Sequence, residues 1–452
     1  MRYSTGLRPI LCGFFICVAL LLQPTVTGDD GEAVTFTPLE QKRIFQHALP
    51  ELTPDPSNRY GDLPAAAHLG RYLFFDRRFS RNKQVSCATC HLPQLSFADG
   101  RPLGIGLAEL ERHSQSLWNT AYNRWFFWDG RADSLWSQAL KPMEDEREFG
   151  ADRLQIAHAV YADDALRAAY ESLFGAMPPL DRSDRFPQNA RPMPAQPQHP
   201  LHRAWQTIAP QDRLWVNRVF ANLGKAIAAY ERRLISRNSP FDRFLQGLRE
   251  NDPHQQAALT PSAQRGLKLF IGKANCRLCH SGPNFSDGEF HNTGIPPAGG
   301  GQPLDPGRYA GIDLVVNDPF NAAGAFSDAP GGDRARQLSL IKRDSEHWGQ
   351  FKTPGLRNVA LTAPYMHQGQ FPTLRRVIDF YADLDQAVFA GHHREPFLQP
   401  IQLDEGERAD LVIFLESLNG ENLDPQWLTA PESPGYAEGT ANAAESKNPP
   451  RN

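Results

Sequence analysis

Two short stretches decide the fold: SCATCH at residues 86–91 and NCRLCH at residues 275–280, both of which contain Cys-x-x-Cys-His. A redox dithiol does not need the trailing histidine, and a zinc site needs four ligands, which neither neighbourhood offers at finger-like spacing. Haem attachment uses all three side chains, because two thiols bond the porphyrin and the histidine ligates the iron. The repeat therefore favours two covalently bound c-type haems. The residues that would hold them are Cys87, Cys90, Cys276 and Cys279 for the porphyrins, and His91 and His280 for the irons.

The amino terminus has the pattern of a secretory signal peptide. Two arginines precede an apolar run at residues 10–22, and small or polar residues follow the run up to residue 28. The run is short for a membrane span, so we predict a signal peptide at residues 1–28, a periplasmic protein and no stable membrane insertion. A permanent anchor is the alternative, because no clean Ala-x-Ala site follows. Cys12 and Cys17 lie in this segment, which leaves no cysteine for a disulfide outside the motifs.

Length and composition indicate a globular protein of two domains. The 452 residues exceed one typical core, while 40% apolar and 22% charged residues are close to globular averages. The formal net charge of −4 gives no broad positive surface, so we expect no nucleic acid as a partner.

An internal repeat precedes the two motifs. AHLGRYLF at residues 67–74 and AQRGLKLF at residues 263–270 share Ala-x-x-Gly-x-x-Leu-Phe. Each copy is predicted to form a helix that leads into a haem loop, and Thr260 with Pro261 is typical of the start of the second helix. Two related haem domains explain this repetition better than two accidental motif matches.

The predicted fold class is mainly α, with two cytochrome c-like haem domains and long irregular loops. Apolar residues recur at helical spacing over residues 216–230 and 411–418, and nothing reads as a run of alternating strands. A segment rich in Gly, Pro and Asp at residues 296–332 indicates a long loop. The predicted domains are an N-terminal haem domain at 36–250 with a Pro-rich insertion at about 177–210, a C-terminal haem domain at 258–425, and a disordered tail at 429–452.

Together with FFWDGRADSL at residues 126–135 and LRNVALTAPYMHQG at residues 356–369, the two motifs make the chain resemble the bacterial di-haem cytochrome c peroxidases and the MauG family. The resemblance runs from about residue 65 to residue 420. It implies that the first haem, on His91, reacts with hydrogen peroxide. The second haem would accept electrons from a small donor protein such as a c-type cytochrome.

The resemblance also assigns the residues that would carry the chemistry. In SQALKPMEDEREFG at residues 137–150, Gln138 and Glu148 match the family's distal glutamine and glutamate, which makes Glu148 the acid/base group. Glu144 and Glu146 are its rivals, and on composition alone a glutamate in such a charged run is a solvated surface residue. Trp128 matches the tryptophan between the haems, where it would relay electrons; core packing is the alternative.

Tyr381 falls where the peroxidases carry a methionine ligand to the second iron and where MauG carries tyrosine. The resemblance therefore implies that Tyr381 ligates the second iron opposite His280. An anionic oxygen ligand stabilises ferric and higher oxidation states, whereas a thioether raises the potential. A helical aromatic packed in the core is the alternative.

Three positions depart from the family pattern. The usual distal histidine of the peroxidases falls near Ile105, so the first haem would be open at rest. A calcium ion between the domains, with Thr362 and Pro364 as ligands, is left in doubt because the family's asparagine ligand falls at His113 and imidazole suits calcium poorly. Ala274 stands where MauG has the surface tryptophan through which it oxidises its protein substrate, so that substrate reaction is not implied.

Three functions remain open at this point. The first is a di-haem peroxidase that reduces hydrogen peroxide to water. The second is a MauG-like di-haem oxidase that uses peroxide-derived high-valent iron to modify a protein or a small molecule. The third is a non-catalytic di-haem electron-transfer cytochrome, which would need both irons closed to outside ligands.

Overall fold

A computed structural model describes residue 1 and residues 34–300, 304–389, 394–421 and 424–436. The predicted signal peptide, after its first residue, and residues 437–452 of the predicted tail lie outside these residues. The earlier part of the tail contacts α2 (Pro64–Phe75), since Arg71 Nε donates to the Thr429 carbonyl at 2.8 Å.

The described residues are mainly helical, as predicted. The first motif is itself a short helix, α3 (Cys87–Cys90). The strands β1 (Phe290–His291) and β2 (Phe351–Lys352) form one small antiparallel pair in which Phe290 lies opposite Lys352. No helix among the described residues is long and apolar enough for a bilayer. The remaining helices and the strands are α1 Pro38–Phe45, α3 Cys87–Cys90, α4 Leu135–Glu144, α5 Arg153–Ala162, α6 Asp164–Phe174, α7 Pro200–Thr207, α8 Pro210–Glu231, α9 Pro240–Glu250, α10 Pro253–Gln256, α11 Pro261–Ile271, β1 Phe290–His291, α12 Arg308–Val316, α13 Asp333–Leu340, β2 Phe351–Lys352, α14 Leu374–Asp383 and α15 Glu405–Glu416.

The predicted helices at residues 216–230 and 411–418 correspond to α8 and α15. The predicted start of α11 is confirmed, because the Thr260 hydroxyl accepts the Ala263 N–H at 3.2 Å and Pro261 follows the cap. The prediction of one continuous loop at residues 296–332 is wrong in part, because the helix α12 lies within that segment. Ile312 and Val315 are buried on one face of that helix. The many glycines and prolines on either side of the helix made the whole segment look like a loop.

The repeated glycine has the same packing role in both copies. A Cβ on Gly70 of α2 would lie 1.8 Å from the Ala226 carbonyl of α8, and one on Gly266 of α11 would lie 2.0 Å from the Asp410 carbonyl of α15. Only glycine allows two helix backbones to approach so closely. The glycine therefore sets the distance between each haem-leading helix and its partner.

Apolar side chains form two main clusters. The first contains residues from Leu69 to Leu234 with Phe320 and Phe326, and the second contains residues from Phe241 to Leu418. Ile44 of α1 also belongs to the second cluster, although α1 is at the start of the predicted N-terminal domain. The division into two haem domains at about residues 250–258 stays a prediction.

Candidate functional site

The first motif presents an imidazole that is ready to bind a metal. The His91 N–H donates to the Cys87 carbonyl at 2.9 Å, which closes one turn and brings the three motif side chains together. His91 Nδ1 lies 3.0 Å from the Phe97 carbonyl, so Nδ1 carries the proton and Nε2 is left for iron. Burial lowers the pKa of His91, which favours the neutral form that ligates.

The second motif repeats this geometry. The His280 N–H lies 2.9 Å from the Cys276 carbonyl, and its Nδ1 lies 2.9 Å from the Phe285 carbonyl. Behind it, the His47 ring stacks on Phe285 at 4.2 Å. His47, which lies in no sequence motif, therefore supports the loop that orients His280.

One cavity of about 1180 Å³ joins the two motifs. From the first motif, Cys90 and His91 line this cavity. From the second motif, Cys276, Cys279 and His280 line it. Burial raises the pKa of the Cys90 and Cys276 thiols to about 12 each. The cavity is larger than a typical single-ligand pocket, and the described cysteines form no disulfide, so the site fits two covalently held haems.

Glu148 faces this cavity, together with Gln138 and Pro142. The two rival glutamates are engaged elsewhere: Glu144 pairs with Arg153 at 2.7 Å, and Glu146 pairs with Arg191 at 2.5 Å. Among the described residues, the Glu148 carboxylate has no hydrogen bond or ion pair. Burial and then the charge of Asp145 raise the pKa of Glu148 to about 7, where a carboxyl group can both accept and return a proton.

The backbone around Glu148 is held by the loop that carries Ile105. The Leu107 N–H donates to the Glu148 carbonyl at 3.0 Å, and a Cβ on Gly106 would lie 2.6 Å from the Glu148 Cα. Ile105 itself is 38% exposed, and its carbonyl lies 3.2 Å from Cys90 Sγ. This loop therefore brings no imidazole to the face of the first haem site.

The other described histidines that line the cavity are held by protein groups. His291 lies 2.8 Å from carboxylate oxygens of both Asp287 and Glu395. Burial lowers the pKa of His291, but its contacts with Asp287, Cys279 and Glu395 outweigh burial and hold the pKa above its usual value. His367 stacks on Phe351 at 3.9 Å.

Trp128 is buried and lines the cavity that both motifs also line. Its Nε1 donates to the His113 carbonyl at 3.0 Å, and its own carbonyl accepts the Lys352 N–H at 2.8 Å. The next residue, Asp129, pairs with Arg112 at 2.6 Å, so ion pairing fixes the turn that positions the indole.

Tyr381 of α14 lines the same cavity as His280. Burial raises the pKa of its phenol to about 12, and a hydrogen bond with Thr293 opposes that rise. The phenol is neutral in this environment, so binding to a ferric iron would have to release its proton.

The surroundings of Thr362 do not fit calcium. His113 Nδ1 lies 2.6 Å from the Arg101 carbonyl, and the same ring hydrogen-bonds the Thr362 backbone. Pro364 lines the cavity nearby. Calcium prefers six to eight oxygen ligands, and here an imidazole already contacts one of the two expected oxygens.

Two buried charged residues that line the cavity were missed. Lys352 is 3% exposed with Nζ 3.4 Å from the Thr353 carbonyl, and burial lowers its pKa to about 8. Glu231 is 4% exposed at the end of α8, and burial raises its pKa to about 8. Glu231 follows the apolar stretch at residues 226–230, which was the available signal, whereas the polar and glycine-rich surroundings of Lys352 give no such signal.

Comparisons with known proteins agree with this geometry. Residues 64–250 match the family model described as di-haem cytochrome c peroxidase. The methylamine utilization protein MauG of Methylorubrum extorquens is 32% identical over 82% of this chain and 82% of its own length. The cytochrome-c peroxidase IdrP2 of Denitromonas iodatirespirans is 33% identical over 81% of this chain and 84% of its own length. The cytochrome c551 peroxidase of Pseudomonas aeruginosa is 29% identical over 81% of this chain and 82% of its own length. A crystal structure of a MauG-like protein associated with microbial copper homeostasis covers 85% of this chain and 98% of that chain at a TM-score of 0.60 and 27% identity.

Proposed function

This chain belongs to the di-haem cytochrome c peroxidase and MauG family, and we propose that it reduces hydrogen peroxide to water with electrons from a c-type cytochrome or similar donor. It is an oxidoreductase of the peroxidase type with two c-type haems. The observation that carries the proposal is Glu148, an unpaired carboxyl group that faces the haem cavity with a pKa of about 7.

The division of labour among the residues follows from their positions. When bound, the haems supply the iron at which the peroxide O–O bond breaks and the store of electrons for its reduction. The Glu148 carboxylate takes a proton from one peroxide oxygen and returns it to the departing oxygen. The Gln138 amide orients peroxide beside that carboxylate, and Trp128 relays electrons between the two halves of the cavity. Two electrons and two protons convert each peroxide into two waters.

Export to the periplasm is part of the proposal. Four motif cysteines that are committed to haem and none that remains for a disulfide suit an exported c-type cytochrome. The signal segment that would direct export lies outside the described residues.

A MauG-like oxidase is the second candidate, and Tyr381 favours it. A phenolate ligand opposite His280 would stabilise high oxidation states of the second iron. The buried Ala274, which is 2% exposed, offers no surface tryptophan for oxidising a docked protein. A small molecule that enters the cavity is therefore the better substrate for this branch. The third candidate, an electron-transfer cytochrome, leaves the unpaired Glu148 without a role.

The decisive variant is Glu148→Gln, which keeps the shape of the side chain and removes the acid. In stopped-flow mixing of the holoprotein with peroxide, we expect the fast spectral change to slow by about 10² to 10⁴-fold. Glu146→Gln is the matched control, because it lies two residues away with a side chain that is 51% exposed. A Glu148→Gln protein as fast as the control would overturn the proposal.

A further inference from the structure

Most tryptophans of this protein lie under a positively charged side chain. Eight tryptophans occur in the sequence, and a lysine or arginine lies within 6 Å of the ring in five of them. The pairs are Trp125 with Arg308 at 4.5 Å, Trp136 with Lys225 at 5.4 Å, Trp205 with Arg153 at 5.5 Å, Trp215 with Arg185 at 5.7 Å, and Trp427 with Arg71 at 5.9 Å.

Three tryptophans lack such a cation in the part of the chain that the structure describes: Trp118, Trp128 and Trp348. The first two line the haem cavity, and Trp348 does not. A cation over an indole opposes the loss of an electron, because the product would be a second positive charge beside it. The cavity tryptophans are therefore easier to oxidise than the five that carry a cation.

The pattern is sharpest within WFFW at residues 125–128. Arg308 is buried between Trp125 and Phe290, 4.1 Å from the Phe290 ring, and donates to the Gly130 carbonyl at 2.8 Å. Trp125 lies three residues from Trp128 in the sequence. Without the cation, Trp125 would readily give an electron to an oxidised Trp128. A guanidinium 4.5 Å from the Trp125 ring disfavours that transfer, because the oxidised indole would be a second positive charge beside it.

Trp118 lies next to the loop that orients the first axial histidine. Its ring meets the Phe97 ring edge-on at 4.9 Å, and the Phe97 carbonyl accepts the His91 Nδ1 proton. Its backbone N–H donates to Ser116 Oγ at 3.2 Å, and that hydroxyl donates to the Ser96 carbonyl at 2.6 Å. Trp118 is thus fixed at the first haem site by the segment that also holds His91.

We propose that Trp118 is a second redox-active tryptophan, which gives an electron to the first haem site. Oxidation is confined to Trp118 and Trp128 because a cation lies over five of the other tryptophans and the sixth, Trp348, does not line the haem cavity. The proposal rests on the peroxidase function. During turnover one electron leaves the Trp118 indole, which keeps its Nε1 proton, and an electron from the external donor restores it. Without a donor, the balanced outcome is Trp + H₂O₂ → hydroxytryptophan + H₂O, in which the indole loses two electrons and peroxide gains them.

The test treats the holoprotein with excess hydrogen peroxide in the absence of an electron donor and locates added oxygen by peptide mass spectrometry. Trypsin cuts after Arg112 and Arg124, which places Trp118 in a peptide without another tryptophan. We expect added oxygen on Trp118 and Trp128 and none on Trp125. In frozen samples, Trp118→Phe should lose part of the organic radical signal, whereas Trp348→Phe should lose none.

Arg308 variants test the cation directly. Arg308→Met should gain oxidation on Trp125, and Arg308→Lys, which keeps the charge, should not. Peroxide consumption with Trp118 unmodified would overturn this proposal alone, and so would Trp348 oxidised as strongly as Trp118. A holoprotein that consumes no peroxide would overturn the peroxidase function as well.

Discussion

Three glutamates within five residues show how surroundings decide the role of identical side chains. Glu144 is tied to Arg153 and Glu146 to Arg191, while Glu148 faces the cavity without a partner. Their sequence context is the same charged run, so composition alone could not separate them. The family resemblance pointed to Glu148, and the position of its carboxylate supports that choice.

The pKa of Glu148 gives the peroxide reaction a pH dependence. Because burial raises this pKa to about 7, the carboxyl group is protonated in acid and cannot accept a proton from peroxide. Below about pH 7 the second-order rate constant should fall about tenfold per pH unit, and above it the rate constant should level off. Stopped-flow rates from pH 5 to pH 9 measure this profile. A flat profile in the wild-type protein would contradict the assignment of Glu148.

Tyr381→Phe tests the ligand of the second iron. Removing a phenolate ligand should raise the reduction potential of the second haem and change its ferric spectrum. Spectroelectrochemical titration of the variant beside the wild type measures both. Tyr365→Phe is the control, because Tyr365 also lines the cavity and belongs to the second apolar cluster. An unchanged second haem in Tyr381→Phe would show that Tyr381 only packs.

At the scale of the helix, the repeat Ala-x-x-Gly-x-x-Leu-Phe was readable as a helix before a haem loop, and α2 and α11 agree. Its glycine could not be explained from the sequence, because the partner helices α8 and α15 are distant in the chain. That the buried charges Lys352 and Glu231 face the cavity is likewise visible only in the assembled fold. The pattern of neighbouring residues predicts where a helix forms, whereas the contacts between helices that are distant in the chain depend on the whole fold.

The close approach of α2 and α8 gives a stability prediction. Gly70→Ala places a Cβ 1.8 Å from the Ala226 carbonyl, so the two helices must separate, at a cost of about 1 to 3 kcal/mol. Thermal unfolding should show a lower melting temperature. Gly331→Ala is the control, since no heavy atom lies within 4 Å of its added Cβ. Equal melting temperatures for the two variants would contradict the packing role of Gly70.

At the scale of the whole molecule, one cavity joins both motifs, and Trp128 lines it. The His113 ring hydrogen-bonds the backbone of Thr362, one of the two residues that the family resemblance implied as calcium ligands. The molecule is therefore expected to hold this region together without a metal ion. The mainly helical architecture was predictable from helical periodicity and the repeat, and His113 already put calcium in doubt. The hydrogen bond from the His113 ring to the Thr362 backbone was not predictable, because it depends on the loops that meet there.

Calcium removal should leave the holoprotein unchanged. We expect the same melting temperature and the same peroxide rate after exhaustive treatment with a calcium chelator. His113→Asn restores an oxygen donor and is the comparison variant, in which added calcium should raise the melting temperature. Loss of wild-type activity on chelation would contradict the calcium-free arrangement.

We expect the first haem, beside Glu148, to leave one face of its iron open. Electron paramagnetic resonance of the resting ferric holoprotein at neutral pH tests it most directly. An open iron gives a high-spin ferric signal from the first haem that converts to low spin when cyanide is added. A resting spectrum that contains only low-spin signals and does not respond to cyanide would contradict it.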